Sequence, residues 1–233
     1  MSFCINIDDV KPEETSPGVF KRVLLKPENT GRGPPGDLSV IHYTLKDGGT
    51  LILEDPNVEY QDYIISGIAK FGRGYIHANT TIFVPSDKKH IYTHAGESEL
   101  RILSHTYSVP YPSHRWCKTR LAQLNFPNTH QQLMTEEFHG LVGAHRFHAL
   151  DVQDMDVPEH KNPEETAYFI AGRGKMRSGD NMYDFRSGTL VYVEEEATHW
   201  IKSDQESGQP LHYFVMEYTE QDKMWSSRAR NLS

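Results

Sequence analysis

Cysteine is scarce in this 233-residue chain: Cys4 and Cys117 are its only two. Two thiols alone make no disulfide framework, so a reducing, cytoplasmic environment is the expectation. Long apolar runs are also missing; none approaches the roughly 18 residues that cross a bilayer as a helix. The opening segment Met1–Asp9 has neither the basic start nor the apolar stretch of a secretory signal. Basic residues are in deficit, with 24 Lys and Arg against 32 Asp and Glu for a net charge of −8. Nucleic acid and acidic membrane surfaces call for a basic face to meet phosphate, so neither is an expected partner. Helical periodicity is sparse as well. Only residues 131–137 and 221–228 read as short helices, and neither carries an apolar stripe able to organise a core.

What the chain does have is strands. Short β-branched and aromatic runs recur between Gly, Asp and Asn: SVIHYT at 39–44, TLIL at 50–53, DYII at 62–65, TTIFV at 80–84 and LRIL at 100–103. A second series follows, with AYFI at 167–170, TLVYV at 189–193 and HYFVM at 212–216. This spacing predicts an all-β chain of sandwich or barrel type. The two series are a repeat. The run from Asp62 to Gly67 corresponds to the run from Ala167 to Gly172, and Pro85 stands as far before His90 as Glu194 does before His199. A repeat of this length is a duplicated domain. The halves are placed at 38–115 and 141–233, the latter with a C-terminal tail. Residues 1–37, with a loop at 28–36, read as an N-terminal arm, and 116–140 as a connector.

The chain has 13 histidines, and their placement in the second half carries the chemistry. His160 is followed after four residues by Glu165 and after six more by Gly172; Gly188 is followed after five residues by Glu194-Glu195-Glu196 and after two more by His199. An imidazole and a carboxylate near one strand, with a second imidazole from a strand across a barrel, can share one face of a divalent ion. Two histidines and one carboxylate leave positions open for substrate or dioxygen, a face that suits Fe(II), with Mn, Ni or Zn also compatible. Taken singly, each residue reads as an ordinary strand residue; the joint spacing is what points to a metal.

These motifs resemble those of the cupin superfamily, in a resemblance that covers both halves and most of the chain, and it implies tandem cupin domains, each a jelly-roll β-barrel. The family's first motif opens with two histidines one residue apart. Pro158 stands at the first of these positions and His160 at the second. The Pro-x-Gly turn of the second motif is here Glu194-Glu195-Glu196, and Ser203 stands where asparagine is common. The expected ligands are His160, Glu165 and His199, with Glu159, beside Pro158, as a fourth. Ala167, Phe169 and Phe214 are the expected substrate-binding positions. A more distant similarity, to ureidoglycine aminohydrolase-type bicupins, rests on Gly179-Asp-Asn-Met-Tyr183 and on Glu159; Lys161, Glu165 and His199 depart from that pattern.

In the first half Tyr60 takes the glutamate position, Glu54, Asp55 and Pro56 fall where the histidine pair belongs, and only His90 remains, with His94 four residues on. One imidazole does not hold a metal. His42, His77 and His105 show no spacing that rebuilds a site, so this half is expected to be structural or lid-forming. His145, Arg146 and His148 read as a cluster that binds a substrate carboxylate or lies between the halves. The expectation for the whole is a metal-dependent enzyme holding one divalent ion and acting on a small polar molecule in the C-terminal barrel. An Fe(II)-type dioxygenase comes first; a redox-neutral Mn, Zn or Ni hydrolase, lyase or isomerase and a non-catalytic small-ligand-binding bicupin are the alternatives. Barrel edges and the arm offer strands for exchange, which makes a homodimer compatible with the sequence.

Overall fold

The computed structural model describes residues 2–30, 37–109, 118–123, 130–135, 141–148, 157–161 and 164–218. The chain divides into two compact units, Val10–Leu124 and a second made of Asn125–Ser233 together with Met1–Asp9. Strand β1 (Phe3–Asn6) therefore belongs to the second unit. The first contains β2 (Glu13–Ser16), β3 (Val19–Leu25), the single turn α1 (Pro27–Thr30), β4 (Leu38–Leu45), β5 (Thr50–Leu53) and β6 (Val58–Ser66). It continues with β7 (Ile68–Phe71), β8 (Gly74–His77), β9 (Thr80–Val84), β10 (His90–His94), β11 (Leu100–Ser108) and β12 (Arg120–Gln123). The second unit contains β13 (His130–Thr135), β14 (Leu141–His148), β15 (Val157–His160), β16 (Glu164–Ala171) and β17 (Arg173–Ser178). It closes with β18 (Asn181–Arg186), β19 (Thr189–Val193), β20 (His199–Ser203) and β21 (His212–Tyr218).

Each unit is a jelly-roll barrel built from a large and a small antiparallel sheet. In the first, the sheets run β12-β9-β6-β11-β4-β3-β2 and β5-β10-β7-β8; in the second, β1-β19-β16-β21-β14-β13 and β15-β20-β17-β18. The order β9-β6-β11-β4 in one matches β19-β16-β21-β14 in the other, so the repeat read from sequence is a repeat of topology. Alternation along the strands sends every second side chain inward. Tyr43, Leu51, Ile64, Ala69, Ile82 and Tyr92 fill the first barrel from both of its sheets. Phe169, Met176, Phe185, Val191, Ile201 and Tyr213 do so in the second.

The glycines at the matching position have one local cause. Gly67 and Gly172 take φ of +83° and +87°, and a Cβ on either would press on backbone, Glu99 O at 2.6 Å and Pro210 O at 2.9 Å. Only glycine combines that φ with so close an approach.

Three expectations are corrected. Residues 1–37 are not an arm: β1 pairs with β19, Phe3 opposite Tyr192 through Asn6 opposite Thr189, while β2 and β3 extend the first barrel's large sheet. Side chains secure β1 further, since Asn6 Nδ2 donates to Thr189 Oγ1 at 2.8 Å and Tyr183 OH donates to Ser2 O at 2.9 Å. The connector 116–140 likewise carries β12, at the edge of one large sheet, and β13, at the edge of the other. The stretch read as a helix at 131–137 is largely β13, paired with β14; sheet pairing overrides a weak local preference. The second such stretch, 221–228, lies outside the described residues. Among the described residues no helix is long and apolar enough to cross a membrane.

Candidate metal centre

Two strand pairs of the second barrel bring the candidate residues together. His160 on β15 and His199 on β20 are direct partners across their ladder, and their ring centroids are 4.2 Å apart. Glu165 lies on β16, in the other sheet, with Val193 of β19 on one side and Glu217 of β21 on the other. One donor atom from each of His160, Glu165 and His199 lies within 4.8 Å of the other two. Glu165 and His199 are buried and His160 is half-buried. Spacing in the sequence had singled out these three.

His199 shows how the site is poised. Its Nδ1 is 2.9 Å from the carbonyl of Ala197, which as an acceptor holds the ring proton on that nitrogen. Its Nε2 is 3.2 Å from Glu165 Oε1, the separation of an ion pair, yet the ring does not aim an N–H along that line and Nε2 makes no hydrogen bond. Burial works to lower the His199 pKa. The hydrogen-bonding reach and charge of Glu165, the Ala197 carbonyl and the charge of Glu217 outweigh it, so the net shift is upward. With no cation between them, a neutral His199 would present its lone pair to a carboxylate oxygen in a place closed to water. A backbone carbonyl fixing the far nitrogen is the usual support of a metal-ligating histidine. The distances fit as well: bonds of about 2.1 Å place neighbouring donors about 3 Å apart and no two beyond about 4.2 Å. A 4.8 Å span has to close by about 0.6 Å to come within that outer limit.

The other expected positions fare differently. Glu159 is exposed and points to Arg177, 3.4 Å away, rather than into the cluster; next to His160 on a strand, it faces the opposite way. Ala167 shares the inward face with Glu165 and is fully buried two residues along. Phe169 is four residues from Glu165, about 13 Å along the strand, and is stacked on Phe185 at 3.7 Å in the packed floor of the barrel. Phe214 is a correction: it pairs with Tyr168, on the face opposite the site, and the inward residues of β21 are Tyr213 and Val215. The strand was read correctly and its phase was not. The side chains of His145, Arg146 and His148 lie outside the described residues.

The first barrel fills the same place with a different set. His90 keeps the pattern of His199, with Nδ1 near the carbonyl two residues back, Lys88 O at 3.4 Å. Tyr60 stands where Glu165 does, edge-on to the His90 ring at 4.8 Å. Asp62, at the position of Ala167, lies with Oδ2 3.2 Å from His90 Nε2 and accepts a 2.6 Å hydrogen bond from Tyr92, at the position of Ile201. Asp62 and Tyr92 are wholly buried, as is the Asp62 Oδ1 atom. The sequence reading missed Asp62, although its alternation with Tyr60 on an inward face is a usable signal. Among the described residues the one cluster of three potential ligands is that of the second barrel.

The turn before each histidine departs from the Pro-x-Gly turn of the cupin motif, which ends in glycine. Glu196, where that motif has glycine, takes a φ of 61°, and Asp87, three residues before His90, does the same. The left-handed backbone of that turn survives the loss of the residue suited to it.

No protein-family model matches the sequence, and no curated protein matches it significantly. Solved structures do match in fold. The E. coli protein Ylba superposes with a TM-score of 0.74 at 13% identity, over 93% of this chain and 90% of that one. An oxalate decarboxylase from Bacillus subtilis, described through its Mn(II) centres, gives 0.67 at 11%, over 93% and 77%. The Lactobacillus farciminis oxalate decarboxylase formate complex gives 0.65 at 12%, over 94% and 86%. The shared property is the tandem cupin fold.

Proposed function

We propose that the second barrel is the site of a metal-dependent enzyme that acts on a small polar molecule, with His160, Glu165 and His199 as the protein's ligands to one divalent ion. The observation that carries this reading is His199: its Nδ1 is held by the Ala197 carbonyl, and its Nε2 is turned to Glu165 without a hydrogen bond. A bound divalent ion supplies Lewis acidity and open positions for a bidentate substrate or for dioxygen. The chain's own residues supply the rest. Ala197 fixes the tautomer and tilt of His199. Glu165, buried at 3% exposure, brings an anionic oxygen into a place where water is excluded. Ala167, Tyr213 and Val215 close the barrel below it with apolar surface, which strengthens every charge interaction above.

Two histidines and one carboxylate are the set used for Fe(II) and dioxygen, and an Fe(II)-type dioxygenase is the first reading. A redox-neutral hydrolase, lyase or isomerase using Mn, Zn or Ni is the second, and ureidoglycine aminohydrolase-like chemistry belongs with it. What favours the second reading is that structural neighbours include oxalate decarboxylases, one of them described through its Mn(II) centres. The first barrel is read as the half without a metal, since Tyr60, Asp62 and Tyr92 occupy the corresponding positions.

Elemental analysis of protein produced with Fe, Mn, Ni and Zn supplied, beside the His160→Ala and His199→Ala variants, tests this. The expected result is about one equivalent of metal, lost in both variants, followed by dioxygen consumption with small carboxylate and diketone substrates. Absence of stoichiometric metal under every supply leaves a non-catalytic ligand-binding protein. Metal retained without dioxygen uptake selects the redox-neutral reading.

A further inference from the structure

The first barrel carries a polar layer that the second lacks. Ser104 on β11 is the direct cross-strand partner of Asp62 on β6, and Tyr92 donates to Asp62 Oδ2 from the small sheet at 2.6 Å. All three are wholly buried. The corresponding residues of the second barrel are Val215, Ala167 and Ile201, every one in its apolar core. Two atoms of the polar layer, Asp62 Oδ1 and Ser104 Oγ, have no hydrogen-bond partner among the described residues. Directly opposed residues of an antiparallel pair hold their Cβ atoms about 5 Å apart, so both oxygens open on one small space, yet they do not bond to each other. A buried carboxylate oxygen without a donor is costly. Among the described residues no lysine or arginine serves it. The ion-pair neighbour of Asp62 is His90, 3.2 Å from Oδ2, and it approaches the oxygen that Tyr92 already holds.

The surroundings of this layer suit a ligand. On the inner face of the small sheet Leu53 lies opposite His90 and Leu51 opposite Tyr92. Leu53 keeps 9% exposure, Tyr60 6% and His90 5%, so solvent reaches the level of Tyr60 and His90, one inward position above Asp62 and Tyr92 on their strands. An apolar and aromatic mouth over a few fixed polar atoms is the usual make-up of a small-ligand site. The two unpaired atoms set the head group. An Asp62 carboxylate only accepts hydrogen bonds, and Ser104 Oγ accepts as well as donates, so one nitrogen bearing two or more hydrogens satisfies both. We infer that the first barrel is a binding site for a small molecule with an amino head, a primary ammonium or a primary amide, seated between Asp62 and Ser104 with its carbon tail against Leu53 and Tyr60. This site is separate from the metal centre and does not rest on it.

The test is titration of methylammonium chloride and of acetamide into full-length protein at constant ionic strength, followed by proton–nitrogen correlation NMR. Tetramethylammonium, which keeps the charge without an N–H, and acetone, which keeps the shape of the amide without one, are the controls. Saturable binding of methylammonium or of acetamide at one site is expected, at least tenfold tighter than its control; the first identifies the head as an amine and the second as an amide. Asp62→Asn is expected to weaken that binding at least tenfold, because Tyr92 keeps the remaining oxygen and the new amide nitrogen takes the place of Oδ1. Ser104→Ala, which removes one acceptor and little volume, is expected to weaken it severalfold. Absence of saturable binding by both probes overturns the inference and leaves a buried water between the two oxygens. A control that binds as tightly as its probe, or undiminished binding by Ser104→Ala, also overturns it. Should Asp62→Asn fail to fold, Ser104→Ala decides alone.

Discussion

Asp62 offers a sharp test of how the first barrel is held together. In Asp62→Ala the Tyr92 hydroxyl loses its acceptor at 2.6 Å and His90 Nε2 loses its neighbour at 3.2 Å. Tyr92 is wholly buried and His90 is 5% exposed, so water does not replace what is removed. A hydrogen bond to a charged group contributes about 1.5–3 kcal/mol, and a buried polar group left without a partner costs about 1–3 kcal/mol. Asp62→Ala both removes the bond and strands the Tyr92 hydroxyl, so the expected loss is about 3–5 kcal/mol. At about 4 °C per kcal/mol for a domain of this size, the first barrel should melt about 12–20 °C lower. The double variant Asp62→Ala/Tyr92→Phe should lose less than the sum of the single changes, because deleting the hydroxyl removes the group that Asp62→Ala strands. A coupling of about 1 kcal/mol or more is expected. Urea and thermal unfolding of metal-free protein, followed by circular dichroism, measure both quantities. A loss below about 1 kcal/mol, or strict additivity of the two changes, would refute the argument that Asp62 anchors this cluster.

Three further outcomes follow from local features. Glu196→Gly should raise the second barrel's urea midpoint, by an amount worth about 1 kcal/mol, since glycine accepts the φ of 61° there without the side-chain clash; a lower midpoint contradicts this. Asn6→Ala removes the donor to Thr189 Oγ1 and Ser187 O that ties β1 into the second barrel, and should cost about 1–2 kcal/mol; unchanged stability would place the tie elsewhere along β1. Acid should weaken the first barrel through two histidines. Burial, reinforced by Arg22 and Arg101, pushes His42 down to about 3, and burial pushes His105 down to about 3 against the pull of Asp62. The unfolded chain protonates both below about pH 6.5 while the folded chain does not. Their contribution is therefore full above that pH and is lost as pH falls from 6.5 toward 3, at up to about 1.4 kcal/mol per pH unit for each histidine. Urea midpoints between pH 7 and 5 should fall accordingly, and less steeply in His105→Gln; identical slopes for the two proteins contradict the assignment.

The sequence by itself determined what depends on short-range rules. Alternating β-branched and aromatic runs specify strands because side-chain direction repeats every two residues. Gly67 and Gly172 mark equivalent turns because each needs a positive φ against a crowding backbone. The spacing of His160, Glu165 and His199 was legible because a turn of fixed length places a histidine at a fixed point on the next strand, whatever residues fill it; Glu196 keeps the turn without its glycine. Tertiary structure alone decided which distant strands meet. That β1 lies beside β19, some 180 residues away, is a pairing that no local propensity encodes. The short segment at 131–137 became mostly strand because β14 offered it a ladder. Phe214 and Tyr213 are both plausible inward residues until the register of β21 against β16 sets the phase. That same register puts Glu217 opposite Glu165, and the other barrel's packing sets Asp62 against His90 and Tyr92. In each case the physical reason is the same: a sheet joins segments by backbone hydrogen bonds that are indifferent to sequence separation, and only the finished register says which side chains share a face.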